Sequence, residues 1–194
     1  MKLLERIDIR FDDDVAKSRK LIFDSVDGRH RAVLVKPVDV PTYVEYGAAD
    51  VGIAGLDVIL ETRAELLQPL DLAFGYCRIA VAGPRGMHSI NGSDHPTVRV
   101  ATKYPRITLE YFNARGIPVE IIPLSGSIEL APLIGLADRI VDLVESGRTL
   151  HENGLDVLEV IAESSARLVV NRAGYQTKRQ EILNFIRSLE KVIA

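Results

Sequence analysis

The chain has 194 residues, 47% of them apolar and 26% charged, a globular composition long enough for one large domain or two small lobes with packed cores. A net charge of −3 without any dense basic block excludes the electrostatic footprint of a nucleic-acid binder or a membrane-surface patch. The single cysteine, Cys77, cannot close an internal disulfide, the four histidines (His30, His88, His95, His151) lack metal-ligand spacing, and neither a signal-peptide core nor a run of about 18 apolar residues occurs, so a cytoplasmic protein with no structural metal is expected.

From the N-terminus, KLIFDS and RAVLVKP flank a VDG turn signal and predict a β-hairpin. VPTYVEYGAA has helical spacing, DVGIAG is a short buried strand ending in glycine, and LDVILETRAELL reads as a helix. LDLAFGYCRIAVAGP is a long strand-like run, and GPRGMHSINGSDHP is loop by its Gly, Pro, Ser and Asn content. A second alternation follows, with TVRVATKYP, VEIIPL and RIVDLV as strands and RITLEYFNARG and SIELAPLIGLA as helices. These strands are short, apolar and β-branched, as parallel strands covered on both faces are. LDVLEVIAESSARLVVNR is a second long extended run, and TKRQEILNFIRSLEKVI closes the chain as an amphipathic helix with Ile182, Ile186, Leu189 and Ile193 on one face.

The two long runs predict an α/β protein of two lobes, the first discontinuous (1–78 and 168–194) and the second inserted (79–167), with a cleft between them. Ligands in such arrangements bind at the carboxyl ends of strands. The turns at Gly52 to Gly55, Ser125 to Ser127 and Ser146 to Thr149 all fall at predicted strand ends and could line one cleft. Ser146, Gly147, Arg148 and Thr149 admit two readings. One is an ordinary strand-to-helix turn; the other is an anion cradle made by unpaired N–H groups at the start of the next helix.

The segment ELAPLIGLADRIVDLVESGRTL, with Glu129, Gly135, Ala137, Ile140, Asp142, Ser146, Gly147, Thr149 and Leu150 in register, closely resembles the signature of the ATP phosphoribosyltransferases, which open histidine biosynthesis. RKLIFDS, DVPTYVEYGAADVGIAGLDV, RVATKYP, EIIPLSGSIELAP and SARLVVNR resemble the same family, so the likeness runs from about Arg19 to the end. It implies the short, catalytic-subunit form, without a C-terminal regulatory lobe, and a two-lobed architecture like that of type II periplasmic binding proteins. The family usually begins with a strand and a PKGR-like turn. This chain begins at MKLLERIDI, which is similar to the tail of the first helix, so a shortened N-terminus is expected to limit activity.

The implied reaction joins N1 of the adenine of ATP to C1 of phosphoribosyl pyrophosphate (PRPP) with loss of pyrophosphate, and it needs no covalent catalytic residue. Mg²⁺ enters bound to substrate. On this resemblance Ser146, Gly147, Arg148 and Thr149 cradle the 5-phosphate of PRPP and Asp142 orders the ribose end, its alternative being a buried or capping aspartate. Gly126, Ser127 and Glu129 offer phosphate or ribose contacts, or else cap a helix. Gly52, Gly55 and Asp57 lie near ATP, or form a tight turn capped by Asp57. Arg19, Lys20 and Lys103 are exposed cations by default, with Lys103 at a strand end where it could hold an anion. The implied partners are a separate regulatory subunit related to histidyl-tRNA synthetase and further copies, in a homo- or hetero-oligomer. The competing readings are a non-enzymatic two-lobed solute-binding module, or a catalytically impaired, shortened paralogue.

Overall fold

Two units emerge in the computed structural model of the chain, which describes residues 2–11, 18–87 and 97–193: one is formed by 1–74 with 166–194, the other by 75–165. The first unit opens with α1 (Lys2–Glu5) and the expected antiparallel hairpin of β1 (Ile22–Asp24) and β2 (Arg31–Val33), in which Ile22 pairs with Val33 and Gly28 takes a left-handed φ of 68° in the turn. A 3₁₀ turn (Pro37–Asp39) runs into α2 (Val40–Glu45), followed by β3 (Val51–Gly55), α3 (Leu56–Thr62) and β4 (Leu67–Asp71).

The helix predicted over LDVILETRAELL is cut short. Arg63 turns left-handed (φ 54°) and donates its N–H to the Ile59 carbonyl, closing α3 one turn early, and Leu67 already belongs to a strand.

The second unit holds β5 (Cys77–Pro84), β6 (Val98–Thr102), α4 (Pro105–Ala114), β7 (Val119–Pro123), α5 (Leu130–Leu133), β8 (Arg139–Val144), α6 (Arg148–Glu152) and β9 (Leu155–Ser164). The chain then returns to the first unit through β10 (Ala166–Val170), α7 (Arg172–Thr177) and α8 (Arg179–Ile193). Each long apolar run is two strands. Left-handed Ala73 and Gly75 separate β4 from β5, and Ser165 separates β9 from β10. The loop segment 88–96, with His88 and His95, lies outside the described residues.

The three short strands that read as parallel are parallel, and the long runs add antiparallel pairing to them. β6 is parallel to β7 and β8, but β5 is antiparallel to both β8 and β9, giving a mixed sheet of order β7-β6-β8-β5-β9. In the first unit β10 lies antiparallel between β3 and β4. Continuously apolar strands record burial on both faces, a condition that antiparallel strands inside a covered sheet satisfy as well.

Strand alternation sorts the core of the second unit into two layers. Ile79, Val81, Val98, Val100 and Val141 pack with Ile107, Tyr111 and Phe112 of α4 on one face. Ala80, Ala82, Ala101, Ile140 and Val144 pack with Ile128, Ala131 and Leu150 on the other. In the first unit α8 buries Ile182, Ile186 and Leu189 against Leu168 and Val170 of β10, with Ile193 partly covered, as its apolar spacing requires.

Candidate functional site

Because β6, β7 and β8 run parallel, their carboxyl ends share one edge of the sheet, with β6 in the middle. The turn after β7 is tied to that edge by the Leu124 N–H, which donates to the Thr102 carbonyl at 3.0 Å. Ser125, Gly126 and Ser127 are exposed, and Ser127 holds a left-handed φ of 50°. Ile128 then drops into the core layer containing Ala101, Ile140 and Val144. The turn after β8 descends into the same layer through Leu150. Two turns that are distant in sequence are therefore anchored on either side of the β6 end by one apolar residue each.

Within the second turn Gly147 precedes α6 with φ 77°, a conformation that glycine reaches without steric cost. The first-turn N–H groups of α6 have no intrahelical acceptor, by the geometry of any helix start. Ser146 Oγ accepts weakly from the Arg148 N–H at 3.4 Å, and Thr149 is exposed. The Arg148 guanidinium points along its own helix and donates to Glu152 at 2.7 Å. Towards β9 the turn borders a shallow depression of about 380 Å³, whose floor is Leu150, Leu155 and Val157 and whose rim carries His151 and Asp156.

Asp142 belongs to the interior of β8, opposite Ala80, with the same alternation as Ile140 and Val144, so it projects on the face that the two turns cover. Its Oδ1 accepts the Leu143 N–H at 2.7 Å and lies 3.0 Å from Lys103 Nζ. Lys103 thus has a definite partner. Nothing local in the sequence announces it, because the contact follows from Thr102 pairing with Val141 across the two strands.

The helix predicted over SIELAPLIGLA shrinks to Leu130–Leu133, which Pro132 and left-handed Gly135 confine. Glu129 precedes it without a side-chain capping bond, and Gly126 has open space around its α-carbon. Capping by the serines is not what the turn does.

In the first unit Gly52 and Gly55 lie within β3 and not in a turn. A β-carbon at Gly52 would come within 2.8 Å of Val40 and Val44, so this glycine lets α2 close onto the strand. Gly55 ends β3, and Asp57, 6% exposed, is the second residue of α3 and not its cap. Arg19 and Lys20 are exposed.

Among the described residues no three His, Cys, Asp or Glu side chains converge to hold a metal ion, and no helix is long and apolar enough to cross a membrane. Away from the turns, Arg99 pairs with Asp138 at 2.8 Å, just before β8. Hydrogen bonding by the Arg99 guanidinium holds the Asp138 carboxyl below the usual aspartate range.

A sheet edge carrying two donor-rich turns and a lysine–aspartate pair suits an anionic sugar, and comparison with known proteins decides the family. Residues 36–191 match the family model described as HisG, ATP phosphoribosyltransferase. The chain belongs to the ATP phosphoribosyltransferase family. A relative from Syntrophotalea carbinolica named ATP phosphoribosyltransferase is 50% identical over 195 residues, covering 100% of this chain and 89% of that protein. The solved ATP phosphoribosyl transferase (HisG:HisZ) complex from Thermotoga maritima superposes with a TM-score of 0.87 at 38% identity, over 100% of this chain and 91% of that one.

Likeness to the periplasmic aliphatic sulphonate binding protein SsuA from Escherichia coli, with a TM-score of 0.53 at 13% identity, shows the fold alone. The architecture is the two-lobed α/β plan of type II periplasmic binding proteins. The family match turns the choice between a solute-binding module and an enzyme in favour of the enzyme, an ATP phosphoribosyltransferase acting at the first step of histidine biosynthesis.

Proposed function

We propose that the chain binds PRPP at the carboxyl edge of β7, β6 and β8 and transfers its phosphoribosyl group to N1 of ATP. The observation that carries this reading is the convergence of the Ser125–Ser127 and Ser146–Thr149 turns on one edge, over a core layer they share. The 5-phosphate sits on the N–H groups and hydroxyls of Ser146, Gly147 and Thr149. Arg148 comes to it only by leaving Glu152. Asp142 accepts from ribose hydroxyls, and Gly126, Ser127 and Glu129 complete the sugar side. In the first unit Gly55 and Asp57 are the nucleotide-side candidates, while Gly52 contributes the packing that holds β3 against α2.

The chemistry asks little of a general base and nothing of a protein nucleophile. Adenine N1 supplies an electron pair to C1 as the C1–O bond gives its pair to pyrophosphate, so the protein's work is to align two anionic substrates and stabilise the charge that builds on the leaving group. Mg²⁺ belongs with the substrates, as a hard cation suited to bridging phosphate oxygens. The unit of 1–74 with 166–194 is the nucleotide lobe and the unit of 75–165 the PRPP lobe, within a few residues of the 1–78, 168–194 and 79–167 division expected from the sequence, and the enzyme acts in the cytoplasm. Its regulatory partner is a HisZ-like subunit, by analogy with the Thermotoga complex.

The test is pyrophosphate release from ATP plus PRPP with Mg²⁺. Release that requires both substrates supports the assignment. Tight PRPP binding with no turnover, with or without the partner, would favour an impaired paralogue.

A further inference from the structure

We propose that Lys103 is a substrate-contacting cation that guards Asp142 in the empty site and transfers to the pyrophosphate of PRPP when the sugar binds. The inference rests on the PRPP reading of this edge. Lys103 directly follows β6, the middle one of the three parallel strands, with the Ser125–Ser127 turn after its neighbour on one side and the Ser146–Thr149 turn after its neighbour on the other.

Its backbone is held firmly. Thr102 is fully buried, donates its Oγ1–H to the Val141 carbonyl at 2.7 Å and accepts the Tyr104 N–H at 2.9 Å, while its own carbonyl accepts the Leu124 N–H at 3.0 Å, so the peptide unit after Lys103 is held by the hydroxyl and the one before it by the neighbouring turn. Its side chain is not. The Lys103 side chain is 39% exposed, its Nζ is 3.0 Å from Asp142 Oδ1 and 5.3 Å from the Tyr104 ring centroid, and the stem between is a flexible four-carbon chain. A stiff base and a movable charge suit an exchange of partners.

Asp142 explains why an exchange is needed. Its side chain is only 16% exposed, and both of its hydrogen-bonded contacts, Lys103 and the Leu143 N–H, converge on Oδ1. A carboxylate covered to that degree is costly without a counter-charge. Sugar hydroxyls donating to Asp142 replace the stabilisation the ammonium supplies, which frees the ammonium for the next anionic group of the ligand. In PRPP two groups are anionic, the 5-phosphate, assigned to the turn, and the pyrophosphate on C1. The cation next to the ribose-binding carboxylate therefore goes to the pyrophosphate. As the C1–O bond breaks and its electron pair passes to that oxygen, the N–H···O contacts of Lys103 strengthen, so the residue acts on turnover as well as on binding.

The experiment compares wild type, Lys103→Met and Lys103→Arg by calorimetric titration with PRPP and, separately, with ribose 5-phosphate, which has the sugar and 5-phosphate but no pyrophosphate. Thermal melts of each variant confirm that it is folded. Loss of one charge-assisted contact predicts PRPP binding weakened roughly ten- to a hundredfold in Lys103→Met, with ribose 5-phosphate changed less than about twofold and Lys103→Arg restoring most of the loss. Equal weakening of both ligands would overturn the proposal, since Lys103 would then act only by orienting Asp142. Unchanged PRPP binding would overturn it too. A wild-type chain that bound neither ligand would bring down the PRPP reading of the edge itself, and this inference with it.

Discussion

Ser146, Gly147 and Thr149 contribute different things to one turn, and substitution can separate them. Each hydroxyl supplies a hydrogen bond to a charged oxygen in the proposed complex, so Ser146→Ala and Thr149→Ala should each raise KM for PRPP roughly tenfold or more while leaving KM for ATP within about twofold. Steady-state kinetics with each substrate varied in turn decides it; a parallel rise in both constants would point to misfolding of the turn instead. Gly147 is under a different constraint. A β-carbon there would meet only Val144 Cγ1, at 3.8 Å, so the strain in any replacement comes from the left-handed φ of 77°. That penalty is about 1–2 kcal/mol for an L-residue.

Asp138 illustrates a residue whose role is in stability. It accepts from Arg99 at 2.8 Å and 2.9 Å through both carboxyl oxygens, which holds its pKa below the usual 3.8. A depressed carboxyl pKa gives stability that is fully present above the usual value and lost as pH falls through the folded one. Asp138→Asn should therefore melt at a lower temperature at neutral pH and show a shallower decline as pH is taken below 3.8, which melts across that range measure directly. A glycine in a turn is visible in a sequence because its freedom is local. The pairing of Lys103 with Asp142 is not, because it depends on the register of two strands 39 residues apart.

At the scale of elements the end of β6 carries the most consequence. Thr102 satisfies two buried backbone groups with one hydroxyl, the Val141 carbonyl and the Tyr104 N–H. Thr102→Val keeps the volume and removes the polar atom, taking this hydroxyl partner from the buried Tyr104 N–H and Val141 carbonyl. The expected cost is about 1–3 kcal/mol. It should register as a lower urea midpoint with an unchanged m value, since the surface exposed on unfolding is the same. A variant with wild-type midpoint would show that water or backbone adjustment replaces the hydroxyl.

The strands and the amphipathic α8 were legible because burial imposes periodicity on them. The short helices were not. α3 stops at left-handed Arg63, a residue with no intrinsic preference for that conformation, and α5 is held to four residues by Pro132 and Gly135 although its apolar spacing continues through Ile134 and Leu136. In α3 the pairing of the next strand outweighs the local helical pattern, whereas in α5 local breakers override the apolar spacing.

For the molecule as a whole, the alternation of strands and helices and the parallel direction of β6, β7 and β8 were legible, and the direction of the long runs was not. Both long apolar runs include a point where the chain passes from one unit to the other, after Phe74 and after Ser165. β5 and β9, on the second-unit side of those points, lie antiparallel to each other, so the chain leaves and re-enters through adjacent strands. In these runs composition carries no sign of strand direction, which is set by where the connection begins and ends.

The same scale governs regulation. The proposed HisZ-like subunit implies that histidine control is exerted between polypeptides: histidine bound to the partner changes the activity of this chain through a coupling free energy, and by linkage the substrates bound here change the partner's affinity for histidine by the same factor. The chain alone should bind nucleotide and PRPP and respond weakly or not at all to histidine. With the partner present, inhibition should appear together with a hetero-oligomer in mass measurement. A histidine titration of activity with and without the partner, at matched substrate concentrations, separates the cases. Strong inhibition of the chain by itself would refute the two-polypeptide account and require a histidine site within these 194 residues.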